Sequence, residues 1–265
     1  MVQLVAGDGT AIAGPLLSSA KGPGRKYNYR HRMGMVPSAE FNVFHDDFHS
    51  FMVSTAITNG PAANVPLNGW ANAVIDTGAT IVADTTVGNH TGALLFDSDG
   101  TSEGAALYTT ESFQIVSGKR FFIETRVKLE VADDCDFQFG FSDVTASTNP
   151  EDLWTTAAAN LVTFGVLDGG SAYPTMLADK SNSGTSAQAQ TLKTIANDTW
   201  TILAIGYDGS NLTGHLNGEQ VLLWSTALST SLPTGVTLAL FFGYRNGSAA
   251  TNEAQVDYIR VVQER

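Results

Sequence analysis

From residue 41 onward, apolar and polar positions alternate with a period of two over one short segment after another, the pattern of β-strands with one buried face. The clearest segment is 121–131. Ile123, Val127, Leu129 and Val131 fall on one side of it, and Glu124, Arg126, Lys128 and Glu130 on the other. Charges confined to one side predict an antiparallel strand with a wet face. After the acidic turn Asp133-Asp134, Phe137, Phe139 and Phe141 alternate with Asp136, Gln138 and Ser142, predicting a second strand. Further strands are predicted over 199–207, 212–216, 221–224, 236–244 and 256–262. Asn217-Gly218 separates two of these runs, and this dipeptide suits a type I′ hairpin turn, which needs positive φ at both positions. One short helix is predicted near 150–159, where Pro150 takes the first helical position and Glu151 and Asp152 the first turn. Strands without intervening helices predict an all-β, two-sheet antiparallel sandwich over a parallel α/β sheet.

Residues 1–40 carry neither periodicity. Gly22, Pro23 and Gly24 interrupt a stretch with scattered bases and two tyrosines, too poor in apolar surface to offset its own ordering entropy. The division predicts two parts: an extended basic N-terminal arm, 1–40, and a single β-sandwich domain, 41–265.

Charge sharpens that division. The 265 residues carry 14 Lys and Arg against 26 Asp and Glu. Five of the bases, Lys21, Arg25, Lys26, Arg30 and Arg32, lie in the arm with only Asp8 and Glu40, so the arm is +3 and the body −15. A body this acidic repels nucleic acid, whose phosphates call for Lys and Arg. The arm is the part suited to an acidic partner surface. Its arginines would pair with carboxylates while Tyr27 and Tyr29 pack beside them; the plainer readings are a solvated tail or an arm folded back on its own domain. A hydrophobic fraction of 43% is ample for a core. The lone Cys135 allows no internal disulfide, no signal-peptide pattern is visible at the start, and no apolar run is long enough to span a membrane. These features set the expectation of a protein folded in a reducing cytoplasm.

Several stretches carry a family likeness. The run DTWTILAIGYDGSNLTGHLNGEQVLLW (198–224) resembles the laminin-G and concanavalin A-like jelly-roll superfamily, in which a Trp-led strand, a D-G turn, a strand ending in N-G and a short return strand follow one another. AQVDYIRVVQ (254–263) resembles the closing strand of that superfamily, and FHDDF (44–48) its entry strand. The resemblance implies a jelly-roll sandwich over about 41–265. It implies no single activity, because lectins, glycosidases, adhesion modules and viral coat components share the fold.

Candidate chemistry is sparse. Glycosidases of the superfamily carry an E-x-D-x-x-E strand, since retaining hydrolysis needs two carboxylates about 5 Å apart; no such run occurs, and Glu124–Glu130 reads as a solvated strand face. His45 and His49 would be about 13 Å apart on a strand, too far to share an ion. No metal ligand set and no cofactor are predicted. Calcium remains an option at Asp97-Ser98-Asp99-Gly100 or Asp133-Asp134-Cys135-Asp136, though Asp-Gly is also ordinary turn chemistry. For glycan contact, Trp70, Trp154 and Tyr173 lie in loop-like sequence, with Asp168 and Asn160 as polar neighbours, whereas Trp200 and Trp224 read as core. No nucleotide or nucleophile-elbow motif is present.

The expectation is therefore a chain that is not an enzyme but a virion structural protein. The plan of jelly-roll body and arm resembles capsid decoration proteins of tailed bacteriophages. That likeness implies the arm anchored on major capsid or other coat subunits, self-association within the assembly, and location in the virion. The alternative is a glycan-binding, lectin-like module, and a diverged glycoside hydrolase stands last.

Overall fold

In the computed structural model, the residues described are 41–48, 57–58, 70–75, 78–83, 93–143, 150, 160–169, 172–180, 187–224, 231–247 and 251–265. The arm (Lys21, Arg25, Lys26, Tyr27, Tyr29, Arg30 and Arg32 included), Trp154 and the predicted helix beyond Pro150 lie outside them.

The described residues form two antiparallel sheets. The first runs β15(Glu219–Trp224), β14(Leu212–Leu216), β13(Thr201–Tyr207), β8(Phe121–Leu129), β17(Asn252–Glu264), β5(Leu94–Ser98), β4(Ala79–Ala83) and β2(Ile57–Thr58), with β1(Phe41–Asp46) also paired to β17. The second runs β12(Ala187–Gln190), β11(Thr175–Asp179), β10(Leu161–Val166), β9(Cys135–Ser142), β16(Thr237–Asn246), β6(Gly104–Thr109) and β3(Trp70–Ile75), with β7(Phe113–Gln114) beside β16. Together they make the two-sheet jelly-roll sandwich that the alternating pattern predicts.

Between the sheets lies one apolar core. Phe137, Phe139 and Phe141 of β9 meet Ile123, Val127 and Leu129 of β8, all fully buried. Phe242 of β16 sits among Trp70, Phe48 and Phe96, with ring centroids 5.0, 5.6 and 5.5 Å away. Asn217 and Gly218 turn between β14 and β15 with φ of 50° and 80°, as a type I′ hairpin requires.

The polar side of the pattern departs from expectation. Glu124, predicted to face solvent, is 5% exposed, and Asp136, Gln138 and Ser142 are buried as well. They do point away from the core, yet the outer faces of both sheets are largely covered at their centres. Buried charges must then be paired. Glu124 accepts hydrogen bonds from Tyr258 Oη at 2.7 Å and Arg260 Nη2 at 2.8 Å.

Candidate functional site

The outer face of the second sheet has a floor of small residues. In register across β10, β9, β16 and β6 stand Gly165, Gln138, Gly243 and Ala106. A Cβ on Gly165 would lie 1.8 Å from the Phe137 carbonyl oxygen, so this strand pair closes only with glycine at the position. On the floor, Thr163 Oγ1 donates to Gln138 Oε1 at 2.8 Å, and Gln138 Nε2 donates to the Val166 carbonyl at 3.1 Å. Tyr108 and Phe241 line the β6–β16 side, and Leu167 packs against both them and the Leu161–Leu177 pair.

One end of this sheet opens towards solvent. The register that sets Arg245 opposite Asp136 and Gly104 also carries Leu167 and Tyr173 off the same end of β10 and β11. Here Arg245 binds Asp136 Oδ2 through Nε at 2.9 Å and Nη2 at 2.8 Å. The Asp168 backbone N–H donates to Asp136 Oδ1 at 2.7 Å. Burial pushes the Asp136 carboxyl above its ordinary range, and the Asp168 N–H and Arg245 pull it only part of the way back. Asp168 itself is exposed, while Tyr173 and Arg245 are half-buried. Gly247 completes the rim: its N–H donates to the Asp134 carbonyl at 2.8 Å, and a Cβ there would meet the Asp168 carboxyl at 2.5 Å.

Of the sequence-predicted residues, then, Asp168 and Tyr173 share this end of the sheet. Asn160 is at the opposite end of β10, held by Asp143 through its N–H at 3.0 Å and its Nδ2 at 2.6 Å. Trp70 is a correction. It opens β3 and is buried, its Nε1 donating to Asp46 Oδ2 at 2.7 Å while Asp46 Oδ1 accepts the Phe48 N–H at 2.8 Å. The acidic entry motif is therefore a clasp that ends β1. Trp70→Phe, which keeps the ring but orphans that carboxylate oxygen, is expected to lower stability by about 1–2 kcal/mol in urea unfolding. Trp224 is core, as predicted, but Trp200 lies outside it, half-buried under the Arg126 guanidinium at 4.6 Å.

Sequence reasoning missed Arg245. Its partner lies 109 residues away, and no local spacing signals such a pair. Neither acidic turn forms a calcium cage. Asp136 is committed to Arg245, burial raises the Cys135 thiol far above its usual range, and no three His, Cys, Asp or Glu among the described residues converge as ion ligands. On the sheet's outer face β9 brings one carboxylate, Asp136, β11 brings Asp179, and β10 between them brings none.

No protein-family model matches the sequence, and no curated protein is similar to it. Solved structures do share its fold. The carbohydrate recognition domain of Emp47p aligns with a TM-score of 0.51 at 11% identity, covering 86% of this chain and 99% of that one. An endo-1,3-beta-glucanase from Streptomyces sioyaensis gives 0.53 at 15% identity, over 86% and 98% of the two chains. The Crh5 transglycosylase in complex with NAG gives 0.51 at 14% identity, over 83% of each. These neighbours overturn the expectation, drawn from the missing carboxylate pair, of a chain that is not an enzyme, because a glucanase and a transglycosylase are built on the same architecture. The fold of this chain is the concanavalin A-like jelly roll.

Proposed function

We propose that this protein recognises carbohydrate at the open end of its second sheet, where Asp168, Tyr173 and Arg245 reach solvent. The observation that carries the reading is the Asp168–Asp136–Arg245 arrangement. Through the Asp168 backbone N–H and the Arg245 guanidinium it sets an exposed aspartate and a half-exposed arginine at the rim of an otherwise buried face. An acceptor and a planar donor at the same rim suit the neighbouring hydroxyls of a sugar ring. A tyrosine beside them offers an apolar surface with a polar tip. The fold adds support, since a carbohydrate recognition domain and two glycan-processing enzymes are among its structural neighbours.

A glycan array with the full chain tests the reading, with β-1,3-glucan among the ligands. Asp168→Ala and Tyr173→Ala are each expected to weaken the bound signal by about tenfold, the size of one or two lost hydrogen bonds. Binding that survives both substitutions would place the sugar elsewhere, and a full chain that binds no glycan would remove the reading. Release of reducing ends from a bound polysaccharide, abolished by the same substitutions, would extend recognition to cleavage.

A further inference from the structure

One register row crosses the open end of the second sheet. Arg245 of β16 lies between Gly104 of β6 and Asp136 of β9. The β9–β10 register, carried one residue past Phe137 and Val166, sets Leu167 beside Asp136. The β10–β11 register, carried two residues past Gly165 and Thr175, sets Tyr173 beside Leu167. The β11–β12 register, carried two residues past Thr175 and Gln190, sets Leu192 beside Tyr173. The adjoining pair holds that last step in place, since the Thr191 N–H donates to the Pro174 carbonyl at 2.9 Å. Residues opposite one another on antiparallel strands share a side of the sheet, here the outer side that Asp136 takes. The row therefore reads Arg245, Asp136, Leu167, Tyr173, Leu192, a charged pair followed by three carbon-rich side chains. Its ends lie four strands apart, about 19 Å at the spacing of neighbouring strands.

Leu192 has no folding role that would explain its place. It is 94% exposed, against 58% for Leu223, the next most exposed of the large apolar side chains described. Its backbone is nonetheless fixed. Thr191 Oγ1 donates to the Lys193 carbonyl at 2.8 Å, and Lys193 is paired with Glu219 of β15. The Ile195 N–H donates to the Ala172 carbonyl at 2.9 Å, and the Ile195 side chain is part of the core. Ala172 keeps a φ of 56°, a left-handed conformation that strains a residue with a Cβ. Tyr173 and Leu192 are thus displayed side by side from two segments tied together on both flanks. Apolar surface held in water adds nothing to folding, and a fixed backbone lowers the ordering cost of binding.

We propose that Leu192 is a binding residue of the carbohydrate site, and that the ligand is an extended sugar chain lying along this row. The inference rests on the carbohydrate reading above. Asp168 and Arg245 meet hydroxyls at one end, and the apolar faces of the following rings lie on Tyr173 and Leu192.

The test uses the full chain and the neutral polysaccharides of the array, β-1,3-glucan among them, each paired with its own disaccharide. The parent is expected to bind the long chain at least tenfold more tightly than the disaccharide. Leu192→Ser should weaken long-chain binding by about fivefold, the size of one apolar contact, and disaccharide binding by less than twofold. Its urea midpoint should match the parent's, because the side chain is exposed. Leu192→Trp, which restores and enlarges the apolar surface, should bind the long chain at least as tightly as the parent. Long-chain binding that Tyr173→Ala weakens and Leu192→Ser leaves intact would overturn this inference and spare the carbohydrate reading, as would equal parental affinity for chain and disaccharide. A parent that binds none of these sugars would remove the carbohydrate reading and the inference with it.

Discussion

Replacing Phe242 with alanine is expected to lower the unfolding free energy by about 3–5 kcal/mol, the usual cost of deleting a fully buried aromatic ring. Phe242 stands on β16, between β9 and β6, and meets rings from three other parts of the chain. Trp70 is set edge-on to it at 89° and Phe96 at 74°, arrangements that add to the area term. Trp70 is itself fixed by Asp46, so the cavity cannot close by letting that ring slide inward without breaking the clasp. Cavities that cannot collapse lie at the costly end of the range. The test is urea unfolding, where the midpoint should fall while the slope stays unchanged, as for a change in native stability alone. Val116→Ala, at an exposed turn position, should move the midpoint by less than a tenth as much. Equal shifts for the two variants would show that the ring cluster does not carry the sandwich.

The strands that the sequence revealed are those with one apolar and one polar side, namely β8, β9 and β13 to β17. Where both sides are buried, the signal fades. Leu161 and Thr163 on the outer side of β10 are as buried as Val162 and Phe164 on the inner side, so the run reads as continuous and not as alternating. The same blurring affects β6, every residue of which is buried. Polarity also misled about exposure, because alternation reports which side of a sheet a residue takes and not whether that side is wet. Glu124 and Asp136 keep their predicted sides and yet lie under cover, which is tolerable only through Arg260 and Arg245. Those pairings are set by strand order, and strand order is a long-range property. Trp70 was misread for a related reason: its neighbours Asn68 and Gly69 look like loop, while the contact that buries it comes from Asp46, 24 residues earlier. Asp168 and Tyr173, which sit in turn sequence beside strands with strong signals, do come together at one end of the second sheet, and the glycan array tests their role there.

Arg245→Met tests how the candidate site is held together. Removing the guanidinium leaves the Asp136 carboxylate buried with one remaining hydrogen bond, from the Asp168 N–H. Breaking one side of a buried pair costs about 3–5 kcal/mol, and the partial exposure of Arg245 places this case near 3 kcal/mol. The loss should depend on pH in a definite direction. Burial already holds the Asp136 carboxyl above its ordinary value, and loss of the positive charge raises it further. A carboxyl whose folded pKa exceeds its unfolded value binds more protons in the folded state, so stability is regained as pH falls through the folded pKa. The deficit of the variant relative to the parent should therefore be largest near neutrality and shrink in mildly acidic solution, the reverse of ordinary acid denaturation. Adding Asp136→Asn to Arg245→Met should recover most of the loss at neutral pH, since a neutral amide oxygen still accepts the Asp168 N–H. A deficit that stays constant with pH, or that the second substitution fails to relieve, would mean that Arg245 acts through packing alone. In that event the rim carboxylate of Asp168 would stand without an electrostatic scaffold, and sugar recognition there would have to rest on Tyr173 and the backbone.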